Sequence, residues 1–135
     1  MIAGYYQQQG WQSHIWQRVS LDSPGCLYKG TIQHEFMHAL GLMHEQSRGD
    51  RDNYINIHWN NVQPGMEHNF NKYDHFRTVY GYDYSSVMHY DWYAFSKDPY
   101  GGLATITKKD GSRAGFGNTE ASALDIYALR YFYCY

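Results

Sequence analysis

The chain has 135 residues, with 13 Asp and Glu against 11 Lys and Arg and a formal net charge of −2. That length suits one domain able to bury about two-thirds of its unfolded surface, and the near balance of charge implies no nucleic-acid partner. No apolar run approaches the ~18 residues of a membrane span, and no basic stretch followed by an apolar segment marks a signal peptide.

The chain opens on Met1-Ile2-Ala3-Gly4-Tyr5-Tyr6, then the short polar tract Gln7-Gln8-Gln9. Residues 14–21, His-Ile-Trp-Gln-Arg-Val-Ser-Leu, partly alternate and are rich in β-formers. They predict a strand that ends at the turn cluster Asp22-Ser23-Pro24-Gly25. A helix follows, with Thr31 as its expected N-cap and Ile32, Phe36, Ala39 and Leu40 on its buried sides.

That helix carries the most informative run, His34-Glu35-Phe36-Met37-His38-Ala39-Leu40-Gly41-Leu42-Met43-His44-Glu45. His34 and His38 are four apart, so they share a helix face and can grip one metal ion. Glu35 lies one residue on, beside that face, placed to act on a metal-activated water as general base without being a ligand. Gly41 can take the left-handed conformation that ends helices, turning the chain so that His44 reaches the same ion. A histidine pair at i,i+4 is common on helices, but six fixed positions at once point to a zinc site. Three imidazoles leave a coordination position open, as catalytic zinc sites do. A purely structural site would want a closed set of four ligands and no spare glutamate.

Beyond it, residues 53–59 alternate weakly, and a short helix is expected within 60–73 after Pro64-Gly65. Residues 96–118 hold Pro99, Gly101-Gly102, Gly111, Gly115 and Gly117 and read as irregular loops. A final helix is expected over Glu120–Tyr131, with Thr119 as N-cap and Leu124, Ala128 and Tyr131 as its packing stripe. His14, His58, His68 and His75 have no ligand spacing and read as surface or locally bonded histidines. The fifteen tyrosines, four tryptophans and six phenylalanines read as filling a loop-rich core and its rim.

Two details narrow the zinc motif. Glu45 follows the third histidine, and Ser86-Val87-Met88-His89-Tyr90 lies downstream. Together with Gly25-Cys26-Leu27-Tyr28-Lys29-Gly30-Thr31-Ile32-Gln33 before the helix and Arg48-Gly49-Asp50-Arg51-Asp52-Asn53-Tyr54 after it, the chain resembles the astacin family of the metzincin clan from about Trp16 to its end. The resemblance implies an α+β, zincin-like fold in one domain over residues 1–135. Residues 1–44 would form an incomplete upper β-sheet subdomain, because the usual N-terminal scaffold has no counterpart here. Residues 45–135 would form an irregular lower subdomain that ends in a helix. One Zn2+ per chain is implied, held by His34, His38, His44 and the phenol oxygen of Tyr90, over an apolar floor at Met88. Glu35 and Tyr90 are the implied catalytic residues, Tyr90 moving to donate a hydrogen bond where the oxyanion develops.

The implied function is a secreted, monomeric zinc endopeptidase taking peptide or protein substrates, with the strand at 14–21 as the edge onto which an extended substrate adds. The alternative is a remnant that binds zinc and peptide without efficient cleavage. Cys26 and Cys134 each match a cysteine whose family partner lies upstream and is absent, so the resemblance implies that they stay unpaired. Glu45 matches a residue that holds the mature N-terminus in the family. With Met1 so far along the domain, Glu45 is expected to be exposed or to borrow Arg48 or Arg51.

Overall fold

The computed structural model describes residues 19–21, 27–73 and 79–134. Two 11-residue helices, α1 (Lys29–Ala39) and α2 (Ala123–Tyr133), bracket a long stretch of loops and single 3-10 turns. That stretch holds a two-stranded antiparallel sheet. Strand β1 (Ile55–Ile57) pairs with β2 (Ile106–Lys108) in the register Ile55 to Lys108, Asn56 to Thr107 and Ile57 to Ile106. The α+β reading holds. The strand expected over 14–21 lies outside the described residues except for 19–21, which have no strand.

Strand β2 corrects the reading of 96–118 as loops throughout. The glycines and proline there are real breakers, and Gly102 and Gly111 sit at positive φ on either side. Between them Thr105-Ile106-Thr107 is a buried β-branched run, with Thr105 and Ile106 fully enclosed. Ile55 and Ile106 then join Val62, Phe70 and Phe116 in one core, walled by Tyr54, Tyr82, Tyr84 and Tyr90. A second core of Met37, Leu42, Val87, Met88 and Ala128 lies between the two helices and the segment around Met88.

Both helix starts differ from expectation. α1 begins at Lys29, two residues before Thr31, and its N-cap Tyr28 makes no side-chain cap bond. Packing sets this end. Gly30 is buried against the Thr119 peptide, and Gln33 Oε1 accepts the Ala121 N–H at 3.0 Å. The face also differs, since Phe36 is 53% exposed while Met37 is buried. α2 begins at Ala123 rather than Glu120, because Ser122 with Asp125 three residues on forms a reciprocal capping box. Its packing stripe is the buried Asp125 and the expected Ala128, with the partly buried Leu129 and Phe132, whereas the expected Leu124 and Tyr131 are exposed. An acidic residue heading that stripe disguises it in a hydrophobic pattern.

The contacts place α1 and α2 side by side in one direction. The start of α1 meets residues 119–121, and at the far ends Tyr133 donates its hydroxyl to the Leu40 carbonyl at 2.6 Å. The Lys29–Glu120 pair at 2.8 Å is open to solvent and contributes little. Gly30→Ala tests the close approach. A Cβ there would stand 2.5 Å from the Thr119 carbonyl oxygen. Alanine gains about 1 kcal/mol of helix propensity, but overpacking against backbone costs about 1–3 kcal/mol. The variant is expected to unfold at lower denaturant, and an unchanged or raised midpoint would show that the 119–121 segment yields freely.

Candidate active site

The end of α1 builds the site. Leu40 is the C-cap, Gly41 takes φ 91°, and its N–H donates to the His38 carbonyl at 2.9 Å while the Leu42 N–H donates to Met37 at 2.9 Å. This is a Schellman turn with its usual apolar contact, here between Leu42 and Met37 in one core. The expected left-handed glycine is present, and the turn sends His44 back toward α1.

The imidazoles converge. Nε2 of His34 and Nε2 of His38 each lie 3.1 Å from Nε2 of His44. Nitrogens about 2.0–2.1 Å from one zinc ion at tetrahedral angles stand about 3.3 Å apart, so the triangle fits a single ion. The outer nitrogens are committed to carbonyl oxygens, which only accept. His34 Nδ1 donates to Val87 at 2.7 Å and His38 Nδ1 to Leu42 at 2.8 Å. Each proton is thereby fixed on Nδ1 and each Nε2 lone pair turned inward. Burial, with the neighbouring His34, holds His38 down to about 3, and burial with the other histidines holds His44 well below its ordinary value. Neutral imidazoles are what a metal requires.

Glu35 is only 4% exposed. Burial raises its carboxyl, against the opposing pull of His34. Tyr90 packs its ring against His44 with centroids 4.7 Å apart. Met88 is buried in the core with Met37. The segment 86–90 is also tied to the chain after His44. The Glu45 N–H donates to the Met88 carbonyl at 3.0 Å, and the Tyr90 N–H donates to Gln46 Oε1 at 3.1 Å. Gln46 is fully buried and went unnoticed in the sequence, where a glutamine between Glu45 and Ser47 carries no signal of its own. His89 accepts the Tyr82 hydroxyl at Nε2 (2.8 Å) and donates from Nδ1 to the Tyr90 carbonyl (2.7 Å), while burial lowers it to about 4. It is a neutral pin for the Tyr90 backbone.

Glu45 takes Arg48, not Arg51, as its partner. Its Oε1 accepts from Arg48 Nη1 at 2.8 Å and from the Asp83 N–H at 2.9 Å, at 1% exposure. Burial raises the carboxyl to about 7 despite those donors. His58 bonds Thr107 and His68 bonds the Gly65 carbonyl, as local histidines do; His14 and His75 lie outside the described residues. Cys134 is free and exposed, while Cys26 lies outside the described residues.

The profile of the Astacin peptidase family matches residues 3–134. The chain belongs to the astacin family. Among its relatives, zinc metalloproteinase nas-15 of Caenorhabditis elegans is 51% identical over 106 residues, covering 76% of this chain and 18% of the relative. High choriolytic enzyme 2 of Oryzias latipes is 54% identical over 80 residues, covering 59% of this chain and 29% of the relative. The solved structure of high choriolytic enzyme 1, a hatching enzyme zinc-protease of the same fish, superposes with a TM-score of 0.80 at 42% identity, over 87% of this astacin chain and 58% of that one. The chain thus spans less than a third of the length of these two sequence relatives. Among the described residues, no helix is long and apolar enough to cross a membrane.

Proposed function

We propose that this chain is a zinc-dependent endopeptidase domain over residues 1–135, with residues 1–44 as its upper subdomain and residues 45–135 as its lower one. It would act as a monomer, in an extracellular setting, on peptide or protein substrates. The observation that carries this reading is the convergence of three inward-facing Nε2 atoms, on His34, His38 and His44, beside the buried carboxyl of Glu35. A bound zinc ion would supply a Lewis acid that polarises the scissile carbonyl and makes water acidic near neutrality. Glu35, buried next in sequence to His34, takes a proton from the attacking water and later passes it to the leaving amine. Tyr90, whose ring packs against His44, would be a further oxygen ligand for the ion and would donate a hydrogen bond to the substrate oxygen as charge develops there.

A second reading is a metal-binding, metzincin-like remnant that cuts poorly. Hydrolysis of a quenched peptide, with zinc titrated back after chelation, separates the two. Cleavage that chelator abolishes and zinc restores is the expected result. Zinc binding without cleavage transfers the conclusion to the remnant, and no zinc binding sinks both. In the active chain Tyr90→Phe is expected to keep zinc and KM while kcat falls by up to about 10²-fold, the low end for loss of one oxyanion donor. An unchanged kcat would reduce Tyr90 to a packing residue.

A further inference from the structure

A line of hydrogen bonds runs from the start of α2 to His34. Asp125 is fully buried three residues inside the α2 N-cap. Its Oδ2 accepts the Ser122 N–H at 2.9 Å, which completes the capping box. Capping requires nothing more, yet Oδ2 also accepts the Val87 N–H at 2.9 Å and Oδ1 accepts the Ser86 hydroxyl at 2.6 Å. Ser86, with its proton given to Asp125, accepts the Met88 N–H on Oγ at 2.9 Å. The Met88 N–H and the Val87 carbonyl belong to one peptide group, and that carbonyl accepts His34 Nδ1–H at 2.7 Å.

We propose that Asp125 and Ser86 are positioning residues for the metal centre, acting on His34 through the Val87–Met88 peptide. Each bond in such a line polarises the next, so the carboxylate at one end strengthens the carbonyl as an acceptor at the other. A better acceptor fixes the His34 proton on Nδ1, holds the ring in its plane and makes Nε2 a stronger electron-pair donor. His38 differs, for its Nδ1 donates to the Leu42 carbonyl at the end of its own helix. The same carboxylate that starts α2 therefore sets one ligand on α1, coupling the last helix of the chain to the metal. This inference rests on the reading of His34 as a ligand.

The test compares Ser86→Ala, Ser122→Ala and His34→Ala in the 135-residue chain. Zinc affinity is read by chelator competition, ligand geometry by the visible spectrum of the cobalt-substituted protein, and stability by thermal melting of the metal-free protein. Ser86→Ala breaks the line and leaves the capping box. Ser122→Ala removes the cap hydroxyl, which accepts the Asp125 N–H and donates to Asp83, and leaves the line intact. Expected is a zinc Kd about tenfold weaker for Ser86→Ala, the low end for loss of a ligand's supporting partner, with shifted cobalt bands. Ser122→Ala should melt earlier with Kd and spectrum unchanged. Should Ser86→Ala fail to fold, Ser86→Cys, of similar volume but weaker hydrogen bonding, takes its place with the same expectations. A Ser86 variant that loses stability alone overturns the proposal, as does a Ser122→Ala variant whose Kd weakens equally. If His34→Ala itself leaves zinc affinity untouched, the ligand reading has failed rather than the relay.

Discussion

Glu35→Gln is expected to leave zinc bound and to lower kcat by about 10²–10⁴-fold, the contribution of a positioned general base. Glutamine matches glutamate in shape, which matters at a side chain 4% exposed, because a smaller residue would add a cavity to the loss of the base. The amide cannot take the proton from water, and it cannot return one to the amine. The three imidazole Nε2 atoms are untouched by the change, those of His34 and His38 being fixed by the Val87 and Leu42 carbonyls. Zinc affinity by chelator competition and KM on a quenched peptide should therefore stay near wild type while turnover falls. A variant that cleaves at the unmodified rate would remove Glu35 from the mechanism.

The convergence of the three imidazoles was legible because its grammar is local. The spacing of His34, His38, Gly41 and His44 lies within one helix and the turn that ends it, and a helix has one repeat to obey. The turn at Gly41 followed from the same logic and has the expected sign of φ. What orients the His34 and His38 rings was not legible, since the acceptors are the backbone carbonyls of Val87 and Leu42, and any residue type offers a carbonyl. Helix limits failed for a related reason. α1 starts where Gly30 can lie on the Thr119 peptide, a contact between distant stretches of chain that no capping rule contains. α2 could have been placed better, because Ser122 and Asp125 form a capping box in plain view. Thr119 looked equally good as a cap, and a buried aspartate does not look like a core residue. Strand β2 was masked by the glycines around it, although they bound the strand rather than break it.

Arg48→Met is expected to destabilise the fold by about 3–5 kcal/mol, the usual effect of removing one member of a buried ion pair. Arg48 is 2% exposed and serves three oxygen groups: Glu45 at 2.8 Å, both oxygens of Asp50 at 2.9 Å, and the Gly81 carbonyl at 3.2 Å. Its guanidinium also lies 5.3 Å from the centroid of the Tyr82 ring, which methionine can cover but not replace as a cation. Without it Glu45 keeps only the Asp83 N–H on Oε1, and its other oxygen, Oε2, has no hydrogen-bond partner among the described residues even now. Glu45→Gln should be mild by comparison, about 1 kcal/mol or less, the net worth of an ordinary hydrogen bond, with zinc affinity nearly unchanged. An amide oxygen in place of Oε1 can keep both donors, Arg48 Nη1 and the Asp83 N–H. The double variant then discriminates. If the loss in Arg48→Met is an unpaired buried charge, neutralising Glu45 as well should recover part of it, giving a favourable coupling of about 1–3 kcal/mol in denaturant melts. Strict additivity would mean that the loss comes from Asp50, Gly81 and packing, and that Glu45 sits beside Arg48 without depending on it.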